Sequence, residues 1–352
     1  MLNLRTPPKS LCILRLSAIG DITHVLPALR TIQHHWPEAA ITWIIGKTEA
    51  ALVGDIPGVE FLVFDKTGGL PAYRQLRRAL KGRRFDVLLH MQVSFRASLC
   101  SLAVKAPIRL GFDRPRAKNL QWLFTNARIA SHPRQHVLDG FLEFTRALGL
   151  EQPVMAWDLP IPPDAEEFAA EQLPGGAEYL AINPCSSNRI RNFRNWSVEA
   201  YAAVIDHAAG HHGLRTVLTG APTTEEQEYA AAIAKAAGQS VTNLVGRTSL
   251  KQLAAILARC RVAIAPDTGP AHIANAVGTP VIGLYATSNP ERTGPYRWRE
   301  ITVNRYPDAV DAEFQQKPED LPWGKRVRSP EAMALITVED VTTRLDGVMA
   351  RR

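Results

Sequence analysis

Short apolar runs alternate with stretches of helical periodicity along almost the whole chain, a pattern that predicts strand–helix–strand units built on parallel sheets. Leu11–Leu16 reads as a buried strand, 17–21 as a turn and Ile22–His35 as a helix. Ala40–Ile45 and Val59–Phe64 read as the next strands, with a short helix, Glu49–Val53, between them. Tyr73–Lys81 has the spacing of an amphipathic helix with a basic face. Phe85–His90 predicts a strand, Phe95–Ala103 a helix, the stretch to about Arg134 a basic loop region, and His136–Leu148 a helix that closes this half.

The alternation pauses over Glu151–Gly176, where Pro153, Pro160, Pro162, Pro163 and Pro174 surround a short acidic helix, so a linker is expected there. It restarts with strands at Tyr179–Asn183, Arg215–Thr219, Val241–Asn243, Arg261–Ala265 and Pro280–Tyr285. Helices at Val198–His211, Glu225–Ala237, Leu250–Ala258 and Ala271–Val277 separate them, and a last helix is expected at Thr337–Met349, far in sequence from this sheet. The reading is two copies of one α/β architecture, each Rossmann-like, rather than a short-period repeat. A chain of 352 residues with 46% apolar side chains is long enough for two such cores.

Composition narrows the setting. Cys12, Cys100, Cys185 and Cys260 form no C-x-x-C pair and no zinc-spaced Cys/His cluster, which fits a reducing, cytoplasmic environment. The apolar stretch Leu11–Leu16 is interrupted by Arg15 and is too short for a signal peptide. No window approaches the roughly 18 to 20 apolar residues that span a bilayer, so membrane contact is expected to be peripheral. The net charge of +7 is uneven: Lys66–Arg134 holds fifteen Lys and Arg against Asp86 and Asp113, an excess of thirteen that leaves the rest of the chain at −6. Such a segment is either a solvated helical surface or a patch for a polyanion, meaning nucleic acid, anionic lipid headgroups or a phosphorylated glycolipid.

The candidate chemistry lies where strands hand over to helices, the edge at which open α/β sheets bind ligands. Ser17-Ala18-Ile19-Gly20-Asp21 follows the first strand. Gly20 is expected to permit a tight turn, and Asp21 is either a helix N-cap or a general base that takes a proton from an attacking hydroxyl. Ala265-Pro266-Asp267-Thr268-Gly269-Pro270-Ala271-His272 occupies a second such junction, where Thr268 and Gly269 leave backbone N–H groups at a helix N-terminus. Thr287-Ser288-Asn289-Pro290 follows the very next strand, and two polar loops side by side suit a diphosphate better than two separate caps. Arg189, Arg191 and Arg194, within Ser186–Trp196, are solvated charge or a neutralising group for a leaving diphosphate. Glu225 and Glu226 open a helix, as dipole partners or as a carboxylate for a ribose.

Absences matter too. Gly-x-Gly-x-x-Gly does not follow the first strand, and the P-loop and Gly-x-Ser-x-Gly signatures are absent, which argues against nicotinamide, P-loop and common hydrolase chemistry. No Asp-x-Asp pair grips a metal-bound nucleotide sugar, so no metal is expected at the site. The histidines His34-His35, His132 with His136, and His211-His212 are read as surface or helix-end residues without a carboxylate constellation.

Together the residues Leu14–Asp21 with Pro27-Ala28-Leu29, Arg194-Asn195-Trp196, Asp267–His272, Gly278–Tyr285 and 287–290 resemble glycosyltransferase family 9, the bacterial heptosyltransferases that add heptose from ADP-heptose to the lipopolysaccharide core. The resemblance implies a GT-B fold with an acceptor-binding domain over 1–160, a donor-binding domain over 161–330, and a C-terminal helix, 331–352, returning to the first domain. It implies Asp21 as the base, with Thr268 and Gly269 holding the donor diphosphate and Asp267 and His272 at the donor pocket. Arg194, Glu225, Glu226 and Thr287 join the donor side, and Ser17, Gly20 and Arg96 the acceptor side. Arg194 falls where the family commonly carries a basic residue before the tryptophan. Inverting transfer to a Kdo- or heptose-bearing acceptor follows, with the ADP-sugar as co-substrate, no resident cofactor, no nucleic acid partner, and peripheral contact with the cytoplasmic face of the inner membrane. The rivals are a nucleotide-sugar epimerase of similar architecture and a non-enzymatic polyanion-binding protein.

Overall fold

The computed structural model describes residues 6–186 and 193–351. The chain divides after Pro160 into two units. In the first, β1 (Ser10–Leu14), β2 (Ala40–Gly46), β3 (Val59–Phe64), β4 (Val87–His90), β5 (Ile108–Gly111) and β6 (Ala127–Arg128) form a parallel sheet in the order β3-β2-β1-β4-β5-β6. The connecting helices are α1 (Ile19–His35), α2 (Lys47–Val53), α3 (Gly69–Ala79) and α4 (Phe95–Ser101), and α5 (Val137–Ala147) follows the sheet. Side chains alternate across β1. Cys12 and Leu14 join Leu76, Ala97 and Cys100 in the core beneath α3 and α4, whereas Leu11 and Ile13 are fully buried on the opposite face. There α1 packs on α5.

The second unit carries α6 (Pro163–Gln172), β7 (Tyr179–Ile182), α7 (Val198–His212), β8 (Arg215–Leu218), α8 (Thr224–Ala236), β9 (Val241–Asn243), α9 (Leu250–Ala258) and β10 (Val262–Pro266). It continues with α10 (Gly269–Val277), β11 (Val281–Tyr285), α11 (Pro290–Thr293), β12 (Val303–Asn304), α12 (Tyr306–Phe314) and α13 (Val338–Met349). Its parallel sheet runs β12-β11-β10-β7-β8-β9, which is the order of the first sheet read from the other edge. Both sheets are therefore doubly wound and Rossmann-like, with the strand order reversing beside β1 and beside β7.

Four sequence expectations change. The region read as a basic loop contains β5, of four residues, and the edge strand β6, of two, whose Arg109 and Arg128 mask the apolar signal. β12 and α12 were not anticipated, their apolar runs being too short to show periodicity. The turn after β1 is made by 15–18, and Gly20 already lies in the first turn of α1. The last helix, expected on the first unit, packs within the core of the second. Val341, Leu345 and Val348 form a stripe at i, i+4 and i+7 that enters the core of the second unit with Leu284, Val303 and Tyr306, and α13 packs on α7. Trp196 secures the approach to this helix, its indole N–H donating to the Ile336 carbonyl at 2.9 Å.

Candidate functional site

In a parallel sheet all carboxyl ends lie along one edge, so the loops after β1 and β4 are neighbours in the first unit, as β4 pairs directly with β1. Arg15, the first residue beyond β1, is 8% exposed. Its guanidinium donates to the Met91 carbonyl at 2.6 Å, lies over the Phe141 ring at 5.2 Å, and forms an ion pair with Oδ2 of Asp21. Asp21 is the third residue of α1, not its N-cap. The same Oδ2 accepts from the Ala18 backbone N–H at 3.3 Å, the returning half of a capping box. Both contacts use Oδ2, leaving Oδ1 without a protein partner among the described residues, and the side chain is one-third exposed. A fixed carboxylate with one open oxygen can accept a proton from an alcohol.

Gln92, just past β4, braces this loop from the next strand. Its Oε1 accepts from the Leu16 N–H at 2.6 Å and its amide N–H donates to Ser17 Oγ at 3.2 Å. Arg96 stands exposed in the first turn of α4, whose N-cap, Ser94, accepts from the Ala97 N–H at 3.3 Å. Arg15 and Gln92 were missed in the sequence. The available signal was a charge directly after a buried strand, which desolvation makes costly unless a partner is fixed beside it.

In the second unit β10, β7 and β8 are adjacent, so the loops after them share one edge with the loop after β11. Asp267 and Arg194 are drawn together there: the guanidinium donates to the Asp267 carbonyl at 2.5 Å and lies 3.4 Å from its carboxylate. His272 Nε2 is 3.9 Å from the other carboxylate oxygen. Burial opposes the charge on Asp267, but the neighbouring Arg194 and His272 overcome it and hold this carboxyl well below the usual range.

Thr268 is the N-cap of α10 in extended backbone, and its side chain makes no capping hydrogen bond; Gly269 and Pro270 are the first helical residues, and Pro270 has no N–H to satisfy. Its hydroxyl is buried and makes no hydrogen bond among the described residues. Thr287 is buried, and its carbonyl accepts from the Val327 N–H at 3.1 Å; Asn289 caps α11 through the Glu291 N–H at 3.0 Å. Glu226 is turned inward, accepting from the Ala221 N–H at 2.7 Å, and burial raises its carboxyl pKa. Glu225 is exposed one residue earlier in α8. Arg189 and Arg191 lie outside the described residues. Among the described residues, three side chains whose ligand atoms lie within 4.8 Å of one another are elsewhere, on α7 and α13.

Chemically, the first unit offers a held carboxylate. The second offers a helix N-terminus with an unsatisfied hydroxyl and a buried cation, which together suit an anion. The model of glycosyltransferase family 9 (heptosyltransferase) matches residues 73–320. The lipopolysaccharide core heptosyltransferase OpsX of Haemophilus influenzae is 40% identical over 334 residues, 95% of each chain. Among solved structures, the family 9 glycosyl transferase of Veillonella parvula superposes with a TM-score of 0.81 at 21% identity, covering 98% of each chain. The Escherichia coli heptosyltransferase WaaC with ADP gives 0.73 at 20% identity, covering 96% of this chain and 99% of that one.

Proposed function

The chain belongs to glycosyltransferase family 9, the heptosyltransferases, with the GT-B fold of that family, and from this premise we propose that it transfers heptose from ADP-heptose to the lipopolysaccharide inner core, Asp21 acting as base. The first unit is the acceptor domain, with Ser17, Gly20 and Arg96 on the acceptor side. The second is the donor domain, with Arg194, Glu225, Glu226, Asp267, Thr268, Gly269, His272 and Thr287 around the nucleotide sugar.

The observation that carries this reading is the Thr268 hydroxyl. A buried hydroxyl without a partner is costly to keep, and here it sits at the N-terminus of α10, whose backbone N–H groups it does not cap. A diphosphate oxygen would satisfy both. Arg194, whose contacts to Asp267 use only Nη1, has donors left for the charge that develops as the diphosphate departs. Asp267 is thereby a positioning residue: its carboxylate holds Arg194 and His272 in place.

Transfer is written as one displacement. Asp21 takes the proton of the acceptor hydroxyl, the oxygen bonds to the anomeric carbon, and the bond from that carbon to the diphosphate oxygen breaks, releasing ADP with inversion. N–H groups and a guanidinium stabilise the leaving group without a metal ion or resident cofactor. Cytoplasmic location with peripheral contact at the inner membrane is supported by four buried free cysteines and by exposed Trp122 and Leu123 among basic residues. No helix among the described residues is long and apolar enough to cross a membrane.

The test is mass-spectrometric transfer from ADP-heptose to a Kdo-bearing lipid A acceptor, wild type against Asp21→Ala. The expected result is an inverted product from wild type and a loss of roughly 10²- to 10⁴-fold in a folded variant. Undiminished turnover would return Asp21 to a capping role, and conversion of ADP-heptose to an epimeric ADP-sugar without acceptor would favour the epimerase reading.

A further inference from the structure

Three side chains unconnected with the transfer chemistry converge on the surface of the second unit. His207 and His212 are on α7, and Asp346 reaches them from α13, 134 residues beyond His212. Sequence alone leaves His211-His212 without a carboxylate and His207 unremarked, because the partner becomes visible only when α13 docks on α7. His207 Nε2 lies 2.7 Å and His212 Nε2 2.6 Å from the same oxygen, Oδ1 of Asp346. All three ligand atoms fall within 4.8 Å of one another. His211 stacks on His207 with ring centroids 4.2 Å apart and restrains that imidazole.

We propose that His207, His212 and Asp346 form a binding site for a divalent transition ion of the zinc class, which ties α13 to α7. Two imidazoles and one carboxylate are a donor set that suits zinc, with water completing the tetrahedron. The two imidazoles are one-fifth exposed and the carboxylate about one-half, so the fourth position faces solvent. With ligand bonds of about 2.0–2.1 Å, a tetrahedral ion needs ligand atoms about 3.3 Å apart. The nitrogens must retreat from Oδ1 by roughly 0.6–0.7 Å, a movement that small χ rotations supply at a helix end. Gly213, in left-handed backbone at φ 66°, ends α7 directly after His212. The ion replaces two hydrogen bonds to one oxygen with three metal bonds, and it binds the docked helix pair in preference to the unfolded chain.

The experiment is calorimetric titration of the untagged full chain with zinc chloride, alongside thermal melts and the visible d–d spectrum with Co²⁺. One equivalent is expected to bind wild type and the control His34→Gln, raise the melting temperature and give the intense bands of a tetrahedral site. Asp346→Asn keeps an oxygen that accepts both histidine N–H bonds while removing the charged ligand. It should melt near wild type without metal yet bind zinc at least about tenfold more weakly, as should His207→Gln. Absence of zinc uptake by wild type, or uptake unchanged in Asp346→Asn, would overturn the site and leave a hydrogen-bonded clasp.

Discussion

At the scale of single residues, Thr268 separates a ligand-binding role from a structural one. Its hydroxyl bonds to nothing in the described protein, so Thr268→Val removes no internal hydrogen bond and replaces a buried polar group by an isosteric methyl. Stability should therefore hold or rise slightly in urea unfolding. Binding should fall, because a hydrogen bond to a charged group contributes about 1.5–3 kcal/mol, equivalent to roughly ten- to a hundredfold in KM for ADP-heptose. A variant with unchanged KM would remove this hydroxyl from the donor site. Asp267 differs in kind, since its carboxylate already has partners in Arg194 and His272. The sequence showed that Asp267, Thr268 and Gly269 begin a helix, and could not show which was satisfied internally. That distinction depends on Arg194, 73 residues away.

At the scale of elements, α13 shows where reading from sequence ends. Its periodicity was plain, with Val341, Leu345 and Val348 on one face, but a stripe does not name the surface that covers it. The docking partner is set by α7 and the β11–β12 edge, and β12, two residues long, has no pattern to read. The long strands and their following loops were legible because buried parallel strands are continuous apolar runs, and this placed Asp21 and Asp267 at their junctions correctly. Arg15 and Gln92 were not legible as site residues, because their roles arise from the pairing of β1 with β4. Leu345 is fully buried, so Leu345→Ala should cost about 2–5 kcal/mol. Hydrogen exchange should then speed up in α13, α7 and β11. Loss of protection in α1 or α5 instead would contradict the placement of this helix in the second unit.

At the scale of the whole molecule, the excess of positive charge in Lys66–Arg134 divides into two populations. Lys66 is held by both oxygens of Glu49 at 2.8 Å, Arg83 by Glu60, and Arg116 by Asp113. Arg109 donates to the carbonyls of Ser101, Val104 and Phe124, tying the end of α4 to β5. Those side chains serve the fold, and altering them would report on stability rather than on any polyanion. Arg74, Arg77 and Arg78 are different: they lie exposed on α3, whose Ala72 and Leu76 face the core. Their charges project into solvent, where interaction with a phosphorylated glycolipid is long-ranged and screened by salt. Replacing all three with glutamate should leave the fold and the KM for ADP-heptose unchanged. It should raise the KM for the lipid acceptor about tenfold or more at low salt and flatten the dependence of that KM on salt concentration. Steady-state kinetics at low and physiological ionic strength reads both substrates in one experiment. If both KM values rise together, α3 acts on the fold. If only the acceptor's rises and its salt dependence flattens, the solvated half of the basic segment is the surface that gathers the anionic acceptor.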